Sequence, residues 1–302
     1  MRKRTLAQFG VVAFAGTLVL AGCGGDSGSS SSSASPTAAA PSVSADETLA
    51  AGVPENIKSS GTILFGTDAS YAPNEYLADD GKTIVGFDID MGNAIAAKLG
   101  LQGKWENSTF DSLIVGVQNG KFNASMSSFT VNPEREKQVN MITYFEAGTS
   151  WAVPMGNPSG ISVEDPCGKT VAVQKATVQV DDIEARTKEC TAAGKPEISI
   201  QQYSLQSEAT TAVVSGKADA MLADSPVVAY AIKQSGKLEQ LGEVYDAAPY
   251  GVVVPKDQTE FADSIQGAIN AMIEDGSYQA VLDQWGLADG AITESEVNPS
   301  TS

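Results

Sequence analysis

Histidine is absent from all 302 residues, and that gap excludes a large share of enzyme chemistry. Without an imidazole there is no Ser-His-Asp or Cys-His catalysis and no His-ligated zinc. The usual general base near neutral pH is missing too. Cations are also scarce: 19 Lys and Arg stand against 37 Asp and Glu, a formal net charge of −18. So acidic a surface argues against nucleic-acid binding, which needs basic faces. Beyond residue 22 no run is apolar enough to cross a membrane. Two Gly-Lys-Thr triplets, Gly81–Thr83 and Gly168–Thr170, do not make phosphate loops. Such a loop needs a glycine five residues before its Gly-Lys, where Tyr76 and Val163 stand. The chain is therefore not expected to be an ATPase, and no catalytic group, metal site or cofactor is expected.

Cysteine is rare as well, with only Cys23, Cys167 and Cys190. Residues 1–22 read as a leader: Arg2, Lys3 and Arg4, then an apolar stretch from Val11 to Leu20 too short to span as a mature helix. The leader ends in Leu20-Ala21-Gly22-Cys23, which resembles a bacterial lipobox, so Cys23 is expected to be lipidated. Removing the three leader cations takes the net charge to −21. The remaining Cys167 and Cys190 are then an exported pair, most simply a disulfide; two separate buried thiols are the alternative. Closing that loop is worth roughly 3–3.5 kcal/mol. From Gly24 to about Asp46 the chain is Gly, Ser, Ala, Pro and Thr, unable to bury enough surface to fold, and it reads as a flexible tether.

From Gly61 strand and helix patterns alternate, which argues for α/β architecture with mainly parallel sheets. Ile63–Phe65 and Thr170–Val173 read as strands. Helices are expected after an Asp88 or Asp90 cap, over Phe110–Val117, from Val178 to Lys188, and over Phe261–Ile273 and Tyr278–Trp285. Asn119–Ser128 echoes Ser215–Asp224: a Gly-Lys turn, a short strand, a polar residue, then a Pro-started helix. The plainer reading is a common αβ turn used twice. In either case Ser128 and Asp224 fall at equivalent strand ends, where open α/β sheets bind ligands.

Beside the first of these ends, Asn132 and Pro133 suit the N-cap and first position of a helix, which puts Arg135 in its first turn. A guanidinium is disfavoured there unless it meets an anion. Next to Thr130 it could clamp a carboxylate by two parallel hydrogen bonds, or be a surface arginine neutralised by Glu134 and Glu136. Asp224 could cap the Pro226 helix or hold an ammonium group. Asp68 could form a turn, and Tyr71 and Phe110 could be core or could pack on an apolar stem.

The chain from Gly61 to Trp285 resembles the extracytoplasmic solute-binding proteins for polar amino acids that serve ABC importers. The resemblance is carried by Gly66–Pro73, Gly86–Asp90, Ser127–Thr130 with Pro133–Arg135, Val173–Thr177, Ala218–Ala220 with Asp224, and Asp275–Tyr278. It implies a type II periplasmic-binding-protein fold: two α/β lobes with mainly parallel sheets, joined by two hinge segments near Trp151-Ala152 and Tyr250-Gly251. The expected divisions are leader 1–22, Cys23 and tether 23–58, lobe 1 over 59–150, lobe 2 over 151–248, a lobe 1 return over 249–288, and a tail 289–302.

By the same resemblance Arg135, Thr130 and the Ser128 backbone, with help from Thr177 and the Val178 N–H, would bind an α-carboxylate, and Asp224 the α-ammonium; Ser127 and Gln174 belong to the expected ligand set as well. Tyr71 and Phe110 would sandwich the side chain, and Asp68 would meet its tip. Ala176 departs from a usual glycine. Asn74-Glu75 stands where an aromatic is common, making Glu75 a second acid near the side-chain end. Arg135 and Asp224 cancel against a zwitterion, so the leftover acids favour a cationic or amide side chain, although Lys175 could neutralise one of them. The expectation is a monomeric, lipid-anchored protein outside the cytoplasmic membrane, delivering an amino acid to an ABC permease and its ATPase. Presentation to a membrane receptor kinase is an alternative, and a dehydratase on the same fold a weaker one.

Overall fold

The computed structural model describes residues 43–299. The leader, Cys23 and the tether as far as residue 42 lie outside the described residues. A single 3-10 turn, Leu49–Gly52, and helix α1 (Glu55–Ser60) lead into strand β1 (Thr62–Thr67). Val53 and Ile57 are buried in one core with Ile63 and Phe65. The tether boundary drawn at residue 58 is therefore too late, because these apolar side chains have surface to bury.

A small sheet follows, β2 (Ser70–Tyr71), β3 (Glu75–Leu77) and β4 (Ile84–Val85). Helix α2 (Phe87–Lys98) is capped by Gly86, not by Asp88 or Asp90; Asp88 is turned inward and fully buried. Then come β5 (Gln102–Asn107), α3 (Phe110–Gln118), β6 (Ala124–Thr130), the one-turn α4 (Pro133–Glu136) and the long β7 (Val139–Pro154). The second region holds β8 (Thr170–Gln174), α5 (Val178–Ala192), β9 (Ser199–Tyr203), α6 (Gln206–Val214), β10 (Ala220–Asp224) and α7 (Ser225–Ser235). A second long strand, β11 (Leu238–Pro255), returns to the first region and is followed by α8 (Thr259–Asp275) and α9 (Ser277–Trp285).

One eight-stranded sheet runs in the order β5-β1-β6-β11-β7-β10-β8-β9. Its two halves are mirror images in pairing. β6 is parallel to β1 and antiparallel to β11; β10 is parallel to β8 and antiparallel to β7. Separate cores form on each side: Phe65, Phe87, Tyr144 and Ile269 belong to one lobe, Trp151, Val173, Ile183 and Leu222 to the other. The two segments expected to join the lobes are β7 and β11, which run through both lobes and make their sheets one. Their mutual register shifts between Leu241 and Tyr245 and again before Ala248. Trp151 and Ala152 already sit in lobe 2 cores and Tyr250 in a lobe 1 core. The crossings thus fall before Trp151 and before Tyr250.

Cys167 and Cys190 are joined by a disulfide, with Cα atoms 5.6 Å apart, which ties the segment before β8 to the end of α5. The segment after residue 289 is no loose tail. Ser295 is fully buried, its hydroxyl donating to the Thr143 carbonyl (2.6 Å), and the Asn298 N–H donates to the Met141 carbonyl (2.8 Å). It covers the part of β7 that β10 does not reach, where unpaired backbone would otherwise be exposed. Among the described residues no helix is long and apolar enough to cross a membrane.

Candidate functional site

The mirrored halves bring the ends of β6 and β10 to opposite sides of one narrow cleft. On the lobe 1 side, the Asn132 side chain accepts from the Arg135 N–H (2.9 Å) and Pro133 occupies the first helical position, as its sequence requires. That cap turns Arg135 back over the sheet. Its guanidinium lies 5.4 Å from the Phe110 ring and 5.7 Å from that of Phe129, and the two rings stack at 4.8 Å. Nη1 donates to the Thr130 carbonyl (2.7 Å) and Nη2 reaches across to the Ala176 carbonyl in lobe 2 (3.0 Å). Burial lowers the Arg135 pKa to about 10, and Asp224 opposes that fall.

Asp68 follows β1. Its Oδ2 accepts the Phe110 N–H (2.8 Å), at the start of α3, and the Gln174 amide from lobe 2 (2.9 Å). Its Oδ1 is buried with no hydrogen-bond partner among the described residues. Burial raises the Asp68 pKa, while the neighbouring Ser70, and then the bonds from Phe110 and Gln174, work against the rise. An anion with one oxygen unsatisfied, away from water, is a strong acceptor for a cation or an N–H donor.

Lobe 2 contributes Gln174, Thr177, Val178 and Asp224. The plain N-cap reading of Asp224 fails: it precedes α7, but its side chain makes no cap hydrogen bond. Oδ1 instead accepts from the Gln179 amide (2.8 Å) and Oδ2 from the Tyr250 hydroxyl (2.7 Å). Tyr71 reaches from lobe 1 to accept the Asp224 N–H (3.2 Å). Direct bonds thus link the lobes at Asp68–Gln174, Tyr71–Asp224 and Arg135–Ala176, and at the Ser70 hydroxyl, which accepts the Gln206 N–H (3.1 Å).

Eleven of the twelve expected ligand residues line this cleft; Glu75 does not. Glu75 is fully buried behind the cleft wall, its Oε1 accepting the Ser127 hydroxyl (2.8 Å). Nor is the Ser128 N–H directed into the cleft as the resemblance implied. It donates to Asp88 Oδ2 (2.7 Å), the backbone at Ser128 being left-handed with φ 52°. Lys175 is exposed and does not line the cleft. Gln179, absent from the expected set, lines it and braces Asp224. Its only sequence signal is its place in the first turn of α5, directly after Thr177 and Val178.

A two-lobed protein whose cleft sets a guanidinium and two carboxylates around a small space is a solute-binding protein by architecture. The chain belongs to the bacterial extracellular solute-binding proteins, family 3, whose model matches residues 63–288. It is 35% identical over 248 residues to the arginine-binding protein ArgT of Corynebacterium glutamicum, covering 82% of this chain and 81% of that one. Among solved structures it is similar to an ancestral arginine-binding protein bound to arginine: TM-score 0.69, 34% identity, 74% of this chain and 98% of that chain. An ancestral arginine-binding protein bound to glutamine matches with TM-score 0.68, 33% identity, and 75% and 98% coverage.

Proposed function

We propose that this chain captures a cationic L-amino acid, with L-arginine the first candidate, and delivers it to an ABC-type permease. The observation that carries the reading is Asp68 Oδ1, buried and without a partner in the cleft that holds Arg135 and Asp224. Arg135 would take the α-carboxylate and Asp224 the α-ammonium. A guanidinium or ammonium at the side-chain tip would complete Asp68, and Tyr71 and Phe110 would flank the methylene stem. Because Glu75 stands outside the cleft, Asp68 is the one acid left for the side chain, which matches a single positive charge. The arginine-binding relatives support the same ligand class.

A ligand that touches Arg135 in one lobe and Asp224 in the other favours the closed arrangement by that difference alone. Anchoring through Cys23 would keep the protein beside its permease; the Leu20–Cys23 motif supports it. Thermal unfolding of the protein against the common amino acids and ornithine tests the ligand class. At a hundredfold excess over Kd, arginine adds about 2.7 kcal/mol and raises Tm. A shift confined to aspartate and glutamate, or none after unfolding and refolding to free any carried ligand, would refute the proposal.

A further inference from the structure

Directly behind the cleft wall two carboxyl groups share one pocket. Glu75 and Asp88 are both fully buried, and their carboxyls converge on one hydroxyl, that of Ser128, with Asp88 Oδ2 at 3.2 Å and Glu75 Oε2 at 3.5 Å. None of the ion pairs among the described residues includes either group. Two buried carboxylates that share one hydroxyl and have no cation do not both stay ionised in such a place, so the pair holds a proton.

The donors around them say where it sits. Asp88 receives the Ser128 N–H (2.7 Å), the Tyr144 hydroxyl (2.8 Å) and the Ser128 hydroxyl, all of which favour its charged form. Glu75 has one close donor, Ser127 Oγ, and the titratable groups around it are acids and phenols: Asp88 from α2, Asp68 from the loop after β1, and the Tyr71 and Tyr144 rings. Burial raises the Glu75 pKa, and Asp88 and Asp68 raise it further. The pair is built into the backbone as well. Asp88 N–H donates to the Asn74 carbonyl (2.9 Å) and Phe87 N–H to that of Pro73 (3.1 Å). This clasp needs glycine at 86, where a Cβ would lie 2.1 Å from the Asn74 oxygen and φ is 142°.

Both carboxyls hold cleft residues in place. Asp88 pins the left-handed Ser128. Glu75 accepts from Ser127 Oγ, which in turn accepts the Asp68 N–H (3.0 Å), a chain of two bonds from Glu75 to the acid that faces the ligand. We infer that Glu75 is a neutral carboxylic acid at neutral pH, and that its pairing with Asp88 positions Ser127, Ser128 and Asp68 for the ligand. Glu75 is thus a positioning residue that never touches the ligand; its effect on affinity, though not its proton, rests on the function proposed above.

Two readouts need no ligand. In carbon-13 NMR of carboxyl-labelled protein at pH 7, one glutamate signal has the shift of a protonated acid and disappears in Glu75→Gln; if every glutamate is ionised, the inference is wrong. The proton also sets a slope. A raised folded pKa gives stability that is full below the ordinary carboxyl value and is lost as pH rises through the folded one. From pH 5 to 7 the parent's folding constant therefore falls by up to tenfold per unit relative to Glu75→Gln, and equal slopes would overturn the claim. For positioning, Glu75→Ala weakens L-arginine binding at least tenfold at pH 7, and Glu75→Gln, which keeps a neutral donor, restores most of that loss. An alanine variant binding as the parent does, or no recovery with glutamine, would contradict the positioning role. If the parent binds no amino acid, the function reading fails while the labelled carboxyl still decides the proton.

Discussion

The ends of β6 and β10 are built alike and finish differently. Gly120 and Gly216 turn with φ 71° and 74°. Asn123 then accepts the Leu64 N–H through its side chain and donates its own N–H back to the Leu64 carbonyl. Asp219 does both to Thr170, so the echo in the sequence is a repeated strand start. Five residues on the copies part. Lobe 1 ends in Ser127 and a left-handed Ser128 backed by two buried carboxyls, and hands over to Arg135. Lobe 2 ends in Ala223 and an extended Asp224 that carries the charge itself. One scaffold thus presents a cation on one side of the cleft and an anion on the other, which is what gripping a zwitterion across two lobes requires.

Removing the cation should break the arrangement most. Arg135→Ala deletes both arms of the clamp and is expected to weaken every amino acid ligand by about a hundredfold or more, since charge-assisted bonds are worth roughly 1.5–3 kcal/mol each. Retained affinity in calorimetric titration would remove Arg135 from the site. Asp68→Asn is more selective: affinity for arginine should fall about tenfold or more while affinity for glutamine changes little. Similar losses for both would make Asp68 structural.

The disulfide belongs to lobe 2 alone. Replacing Cys167 and Cys190 by serine should lower stability by roughly 2–4 kcal/mol, read as a lower denaturant midpoint, with arginine affinity nearly kept. The smallest effect concerns Ala176, whose φ of 62° is a conformation that costs a residue with a Cβ roughly 1–2 kcal/mol. Ala176→Gly relieves that strain but gives back about 0.5–1 kcal/mol in chain entropy, leaving a small net gain in Tm.

Much of the fold was legible where signals are local. Asp275-Gly276 split α8 from α9, with Gly276 left-handed, and Asn132-Pro133 started α4. What failed depended on distant partners. Asp88 looks like a helix cap in its own segment; its role comes from Ser128 and Tyr144, 40 and 56 residues away. Glu75 looks like a free acid until Ser127, 52 residues on, is brought to it. The continuity of β7 and β11 was hidden because hinge positions carry no period of their own. Ser295 was lost in a polar run that reads as a tail. The cleft residues were legible through the family resemblance far more than through spacing; Glu75, read at a position where the chain departs from the family's pattern, is the one it misplaced.

The most direct test of the division of labour is a titration matrix. L-arginine, agmatine (which lacks the carboxylate) and 5-guanidinovalerate (which lacks the ammonium) are each measured against the parent, Arg135→Ala and Asp224→Asn. If lobe 1 holds the carboxylate and lobe 2 the ammonium, Arg135→Ala abolishes the preference for arginine over agmatine. Asp224→Asn then abolishes the preference for arginine over 5-guanidinovalerate and leaves the other intact. If either substitution erases both preferences equally, or neither, the two lobes do not divide the zwitterion in this way.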